Sequence, residues 1–272
     1  MIRDVTLGQY YPADSVLHEL DPRTKLFGTL FFIISVFAFR GLPGFAVITI
    51  CMFAVIYLSK VPLSFMLRGL HSIMILLIVA AMFNLLLTPG QPLVSIWKIV
   101  ITKEGLKNAV LMTVRMVYLI MGTSVMTLTT TPNQLTNGLE TSLRSLNRIH
   151  VPVHEISMMM SIALRFIPIL IEETDKIMKA QMARGADFES GGFIRRAKNM
   201  VPLLVPLFVS AFRRANDLAL AMEARCYMGG EGRTRMIPLC YTKKDRIAYV
   251  LIMVYLVSIL ILKYSVKVWP GT

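Results

Sequence analysis

The sequence predicts an all-α integral membrane protein, with about five transmembrane helices and a cytoplasmic-side bundle of three amphipathic helices. Three observations lead there. Hydrophobic residues make up 55% of the 272 residues and the mean hydropathy is +0.62, more apolar side chain than a soluble domain of this size can hide. Charge-free runs long enough to cross a bilayer recur along the chain. The 29 Lys and Arg outnumber the 16 Asp and Glu, a net charge of +13, and they concentrate in one half, as positive-inside topology requires. These figures exclude an ordinary soluble enzyme and a disordered basic chain, which would be poor in large aliphatics. With this hydropathy the basic excess reads as topology, not nucleic-acid binding. Cys51, Cys226 and Cys240 are far apart and odd in number, against a disulfide framework or thiolate zinc site. Arg3, Asp4, Asp14, Glu19 and Asp21 interrupt the first 25 residues, so no cleavable signal peptide is expected.

Taken in order, residues 1–25 form an N-terminal cytoplasmic segment. Asp21-Pro22 reads as a helix start, Asp as N-cap and Pro in the first turn, with Arg23 and Lys25 anchoring it at the headgroups. Residues 26–130 hold four spans: Leu26–Phe39, Gly41–Ser59, Gly69–Trp97 and the run from Met116 that reaches Leu139. The first is short, about 21 Å at 1.5 Å per residue, and is expected to turn back at Gly41-Leu42-Pro43-Gly44. Arg115 is expected at the outer interface or snorkelling toward it. Residues 247–272 supply the last span, Ile247–Leu262, and a tail. With the N-terminus cytoplasmic, the inner segments 1–25, 60–68 and 131–246 hold 22 Lys and Arg and the outer ones 6, which places the C-terminus outside.

Residues 131–246 are helical, half apolar and heavily charged, with 17 basic and 11 acidic residues, a body with its own surface. Thr131-Pro132 is an N-cap followed by Pro, and Leu135, Leu139, Leu143 and Leu146 mark one face of a first helix that ends before Val151-Pro152. A second helix runs from about His154 to Arg184, kinked near Pro168 and stopped by Gly185 and then Ser190-Gly191-Gly192. Glu172/Lys176 and Asp175/Lys179 stand at ion-pair spacing. A third runs from about Phe193, opened by Arg195, Arg196 and Lys198, to Tyr227, and Gly229-Gly230 ends it. Each long helix joins an apolar stretch to a charged end.

Those ends repeat. Ala183-Arg184-Gly185 and Ala224-Arg225-Cys226 are each an Ala-Arg-small tip, 41 residues apart. Good helix capping explains either one alone. Two such tips on consecutive helices suggest narrow ends that enter two similar grooves, each Arg meeting a partner carboxylate bidentately.

Asp21-Pro22-Arg23-Thr24-Lys25-Leu26, Arg165-Phe166-Ile167-Pro168 and the two tips, in that order, resemble the transmembrane T component of energy-coupling factor transporters, the EcfT/CbiQ family. Gly8-Gln9-Tyr10 with His18-Glu19-Leu20-Asp21-Pro22 is most similar to the versions shared among several vitamin-binding subunits. The resemblance covers about residues 6–262. It implies a non-catalytic coupling subunit in a bacterial cell membrane, with the three amphipathic helices as coupling helices on the cytoplasmic side. It also implies two ABC-type ATPase subunits as partners, which bind the ATP so that this chain carries no cofactor, and a small membrane S component that captures a vitamin or other micronutrient. Arg184 and Arg225 match the coupling-motif arginines, each entering a groove on one ATPase. Cys226 stands where Gly is commoner; the non-identical tips permit an ATPase heterodimer. Met158, Met159, Met160, Leu203, Leu204, Val205 and Leu207 form an adaptable apolar surface for the S component; packing between the long helices or against lipid explains them as well.

Other constellations fail on geometry. In His150-Val-Pro-Val-His154-Glu155 the proline interrupts the spacing and the Glu lies outside it, so no metal site is expected. The chain has no GxxxxGK[ST] to cradle ATP and no GxSxG nucleophile elbow. Asn84 can bond to a neighbouring helix. An integral membrane hydrolase or lipid transferase, or an autonomous transporter or channel, are the alternatives: the first lacks a catalytic constellation, the second an inverted repeat.

Overall fold

The computed structural model describes residues 10–38, 42–96, 99–188, 192–230 and 238–268. Arg3, Asp4, Gly8, Gln9, Phe39, Gly41, Trp97, Ser190 and Gly191, all used above, lie outside the described residues. The described chain is all-α apart from one small ribbon. Its elements are α1 (Val16–Glu19), α2 (Pro22–Ala38), α3 (Leu42–Ser59), α4 (Leu63–Leu87), β1 (Pro92–Ile96), β2 (Ile99–Thr102), α5 (Lys103–Thr129), α6 (Pro132–Leu143), a 3-10 turn (Arg144–Ile149), α7 (Val153–Ala183), α8 (Phe193–Ala224) and α9 (Lys243–Val268). The chain divides into two compact units, one within Leu139–Pro238 and the other within Gly8–Gly138 and Leu239–Thr272.

The second of these units is an apolar helical body. One core joins Met52 and Ile56 of α3, Met66 of α4 and Val125 and Leu128 of α5; another joins Val36, Ile48 and Ile259 of α2, α3 and α9. Between helices, Thr49 Oγ1 and Tyr118 Oη lie 2.5 Å apart, and Ser35 Oγ and Tyr255 Oη 2.6 Å, ties suited to a medium without water. Large apolar side chains also cover the outside: Ile50, Tyr57, Ile75 and Leu87 are each 70% or more exposed. In water that surface would be unstable; in lipid it is the solvated one. Among the described residues α5, α7 and α9 are long and apolar enough to cross a membrane, and α4 joins them if its two arms, Leu63–His71 and Ile73–Leu87, bent by 60°, count as one span. The protein is therefore membrane-embedded.

Several sequence expectations are corrected. The turn expected through Leu42-Pro43-Gly44 is the first turn of α3, where a proline's missing N–H costs nothing. The run Gly69–Trp97 is not one span: α4 starts earlier and ends at Leu87, and past Pro89-Gly90 the Val/Ile-rich segment pairs as the antiparallel ribbon β1-β2. Arg115 does not flank a span but lies inside α5, 6.0 Å from the ring centres of Phe37 and Phe45. That helix begins with Thr102 accepting from the Gly105 N–H and stops at Thr129, because Pro132 cannot donate the next backbone bond. Asn84 bonds to its own helix, at the Ala80 carbonyl, 2.9 Å away.

Arg23 and Lys25 are also not headgroup anchors. Lys25 is buried, its Nζ donating to the carbonyls of Thr129 and His18 at 2.9 and 3.2 Å. Arg23 folds onto Asp21 through two side-chain bonds of 3.0 and 2.9 Å, reaches the Leu239 carbonyl and covers the Tyr241 ring at 4.0 Å. Hydrogen bonding to Asp21 raises the Arg23 pKa further, and burial, with the Tyr249 hydrogen bond, pushes the Tyr241 phenol up to about 12. The hub of this corner is Asp245, fully buried. One oxygen accepts from the Asp21 N–H, just before α2, at 2.8 Å, and the other from Thr242 N and Oγ1 at 2.8 and 2.7 Å. One carboxylate thus secures the starts of α2 and α9.

Asp245→Ala should therefore cost about 3 kcal/mol, since it leaves buried donors unpaired, and lower the melting temperature of the purified protein. Lys244→Ala removes only an exposed pair with Glu19 and should change stability by less than about 1 kcal/mol. Equal shifts for the two variants would contradict this assignment of Asp245.

Candidate partner-docking tips

In the unit within Leu139–Pro238, α7 and α8 are 31 and 32 residues long, about 47 Å each at 1.5 Å per residue. The contacts between them show an antiparallel pair. Past the end of α7 the Asp187 carbonyl accepts from Nδ2 of Asn199, in the first third of α8, at 2.6 Å. Past the end of α8, Gly230 approaches His154 so closely that a Cβ there would sit 2.5 Å from the ring Cδ2. Midway, Glu173 Oε2 accepts from Arg214 at 3.1 Å, and Ile162, Phe166 and Leu170 line one apolar crevice with Leu218, Ala219 and Met222. Among the described residues the expected Glu172–Lys176 and Asp175–Lys179 pairs do not form: Glu172, Lys176 and Lys179 are exposed and Asp175 is half-buried. The start of α7 is held to α6 by Glu140, which accepts from Ser157 Oγ at 2.7 Å and pairs with His154 Nδ1 at 3.1 Å. His150 is outside the helix, and no group among the described residues could hold a metal.

The two tips close in the same way. The helices stop at Ala183 and Ala224, so α8 ends earlier than Tyr227 and before the Gly229-Gly230 pair expected to stop it. Arg184 is the C-cap of α7 and Gly185 follows with φ +89°. The Gly185 N–H donates to Met182 O and the Ala186 N–H to Gln181 O, both at 3.0 Å. At the second tip Arg225 is the C-cap and Cys226 follows with φ +56°. The Cys226 N–H donates to Glu223 O at 2.9 Å and the Tyr227 N–H to Met222 O at 3.0 Å. Both are Schellman closures. They satisfy the carbonyls of Gln181, Met182, Met222 and Glu223 internally and leave Ala183, Arg184, Gly185, Ala224, Arg225 and Cys226 exposed. The cost of the left-handed conformation falls on Cys226, roughly 1–2 kcal/mol for a residue with a Cβ.

The apolar surface expected on these helices divides. Leu203 is buried, 6% exposed, and so offers no surface to a partner; Met158 and Leu207 are half-buried. Met159, Met160, Leu204 and Val205 are exposed, and Met200, Val201, Phe208, Val209 and Phe212 extend the α8 face. Those five escaped the sequence reading, although the spacing of Met200, Leu204, Phe208 and Phe212 at every fourth residue puts them on one face. The Glu173–Arg214 pair also went unread; its signal was the same 41-residue offset as the tips.

The chain is thus a membrane-embedded helical protein whose two long helices end in matched, exposed arginine tips. The sequence matches the CbiQ family, described as cobalt transport protein, over residues 13–236. The chain is 50% identical over 273 residues to the energy-coupling factor transporter transmembrane protein EcfT of Clostridium kluyveri, covering 100% of both chains. It is 51% identical to the EcfT protein of Thermosediminibacter oceani (92% of this chain, 94% of that one) and 47% identical to that of Bacillus subtilis (90% and 93%). The chain belongs to the CbiQ family of transporter membrane components, as its motifs led the sequence reading to expect.

The matched closures carry an expected outcome. Cys226→Gly should stabilise the purified protein by about 1 kcal/mol, and Gly185→Ala should destabilise it by a similar amount. Thermal unfolding of the two variants beside the parent checks the pair; a destabilising Cys226→Gly would mean that the thiol makes a contact worth more than the strain.

Proposed function

We propose that this chain is the coupling subunit of an energy-coupling factor importer: it performs no chemistry itself and links ATP binding and hydrolysis by two ABC-type ATPases to uptake of a vitamin or other micronutrient captured by a small membrane S component. The observation that carries the reading is the pair of exposed, identically closed Ala-Arg-small tips at opposite ends of the antiparallel α7–α8 pair. A tip of this form is preorganised. Two carbonyls of its last turn are already bonded, its neighbours are small, and the guanidinium is left to bind a carboxylate bidentately in a groove.

Each ATPase receives one tip, Arg184 or Arg225. ATP binding moves the ATPases, and each tip follows its groove and carries a stiff helix with it. The two grooves must hold the tips with different free energy in different nucleotide states, or the equilibrium would not shift. Met158, Met159, Met160, Leu204, Val205 and Leu207 contact the S component, aided by the exposed Phe208 and Phe212. Methionine adapts to several partner shapes. The N-terminus and coupling helices are cytoplasmic, in keeping with the cations concentrated in residues 131–246. The Gly185/Cys226 difference makes the tips unequal and suits two non-identical ATPases.

Co-purification from the native membrane tests this. ATPase subunits should accompany the parent chain and be lost from a folded Arg184→Glu/Arg225→Glu double variant, and the two single variants should lose them unequally. Absence of any ATPase with the parent chain would end the coupling reading.

A further inference from the structure

The offset of 41 residues that relates the tips also relates the partners of the ion pair between α7 and α8: Glu173 and Arg214 are 41 residues apart, each eleven residues before its tip arginine. In an antiparallel pair, two positions that are equivalent under an internal repeat and touch each other must lie on the axis that exchanges the helices. Other contacts agree. Exchanging α7 with α8 turns the Asn199–Asp187 contact into a Met158–Met228 proximity, and the contact observed at that end, His154–Gly230, is about one turn away. On the side of the pair toward the His154–Gly230 contact, Ile162, Phe166 and Leu170 of α7 and Ala215, Leu218 and Met222 of α8 line one crevice, as the antiparallel register places them.

We propose that Glu173 and Arg214 are positioning residues on a local two-fold axis between α7 and α8, setting the register of the two helices and so the span between the Arg184 and Arg225 tips. The proposal deepens the coupling reading and rests on it for its functional consequence. Eleven residues of helix on each side of the axis put the tips about 33 Å apart along the pair. A partner that takes both tips must offer two equivalent arginine-accepting grooves at that spacing, themselves related by an approximate two-fold. A slip of one turn between the helices would move each tip about 5 Å relative to the other, enough to take a guanidinium out of reach of its carboxylate.

The pair is not there for stability. The two side chains are 36% and 28% exposed, and an ion pair so placed adds little. Its value lies in selecting one register among apolar alternatives. The crevice beside the pair is lined by Ile162, Phe166, Leu170, Ala211, Ala215 and Leu218, shapes that tolerate sliding, whereas a buried donor does not: Arg214 Nε is buried with no hydrogen-bond partner among the described residues, so the guanidinium depends on Glu173 to hold it in place.

The test is charge reversal with a distance readout. In the full transporter, Lys179→Cys and Leu220→Cys place spin labels at exposed positions, equivalent under the repeat and close to the tips, in a background with the native cysteines changed to serine. Glu173→Arg and Arg214→Glu singly should broaden the distance distribution between the labels and, in chains with native cysteines, lower ATP-dependent uptake two- to five-fold. The double reversal should restore a single distance and uptake to within two-fold of the parent. Unchanged distances in both single variants, or a double reversal that rescues neither readout, would overturn the proposal. A distance response in a chain that binds no ATPase would leave the axis standing and remove the coupling reading.

Discussion

Helix ends govern this protein. Every helix leaves N–H groups bare at its start and carbonyls bare at its finish, and a chain that lives in and beside lipid cannot leave them to water. The solutions differ with place. In the membrane-embedded unit, Asp245 uses both carboxylate oxygens to secure the starts of α2 and α9, and Lys25 gives its protons to the carbonyl at the end of α5 and to that of His18. These ends are buried and tied to each other. At the tips of α7 and α8 the backbone closes on itself, so that the ends can stand free. The charged groups of the first kind are spent inside the fold. Those of the second, Arg184 and Arg225, stay exposed, and that division separates charges used inside the fold from charges carried on its surface.

The α7–α8 pair combines rigidity with matched ends. Two helices of nearly equal length, antiparallel, with the same closure at each end, behave as a strut with identical fittings. What distinguishes the fittings is a single atom pattern: Gly185 takes the left-handed backbone freely and Cys226 takes it under strain. The strain is small beside the packing along the crevice, which is why a cysteine can stand there without unwinding the last turn.

Much of this was legible in the sequence, for physical reasons. Long apolar runs and their flanking cations mark a membrane protein because the bilayer tolerates little else. The tips were legible because a left-handed residue after Ala-Arg leaves a short, recurring signature. The parts that were not legible share a cause: they depend on contacts far apart in the chain. Nothing local distinguishes Lys25 as a buried donor from Lys25 as a headgroup anchor; only the Thr129 carbonyl, more than a hundred residues on, decides it. The same holds for Asp245 and Asp21. Arg115 lies within α5 and not ahead of a span because aromatic rings on two other helices accommodate it there. Leu203 looked like its neighbours Leu204 and Val205, yet its position on the helix turns it inward.

The contact between Gly230 and His154 has a topological consequence. The chain that departs through α7 comes back, after α8, to the point it left. A segment whose entry and exit coincide can be lengthened, shortened or exchanged for another without drawing its two attachment points apart, so the long-helix pair is built like a cassette.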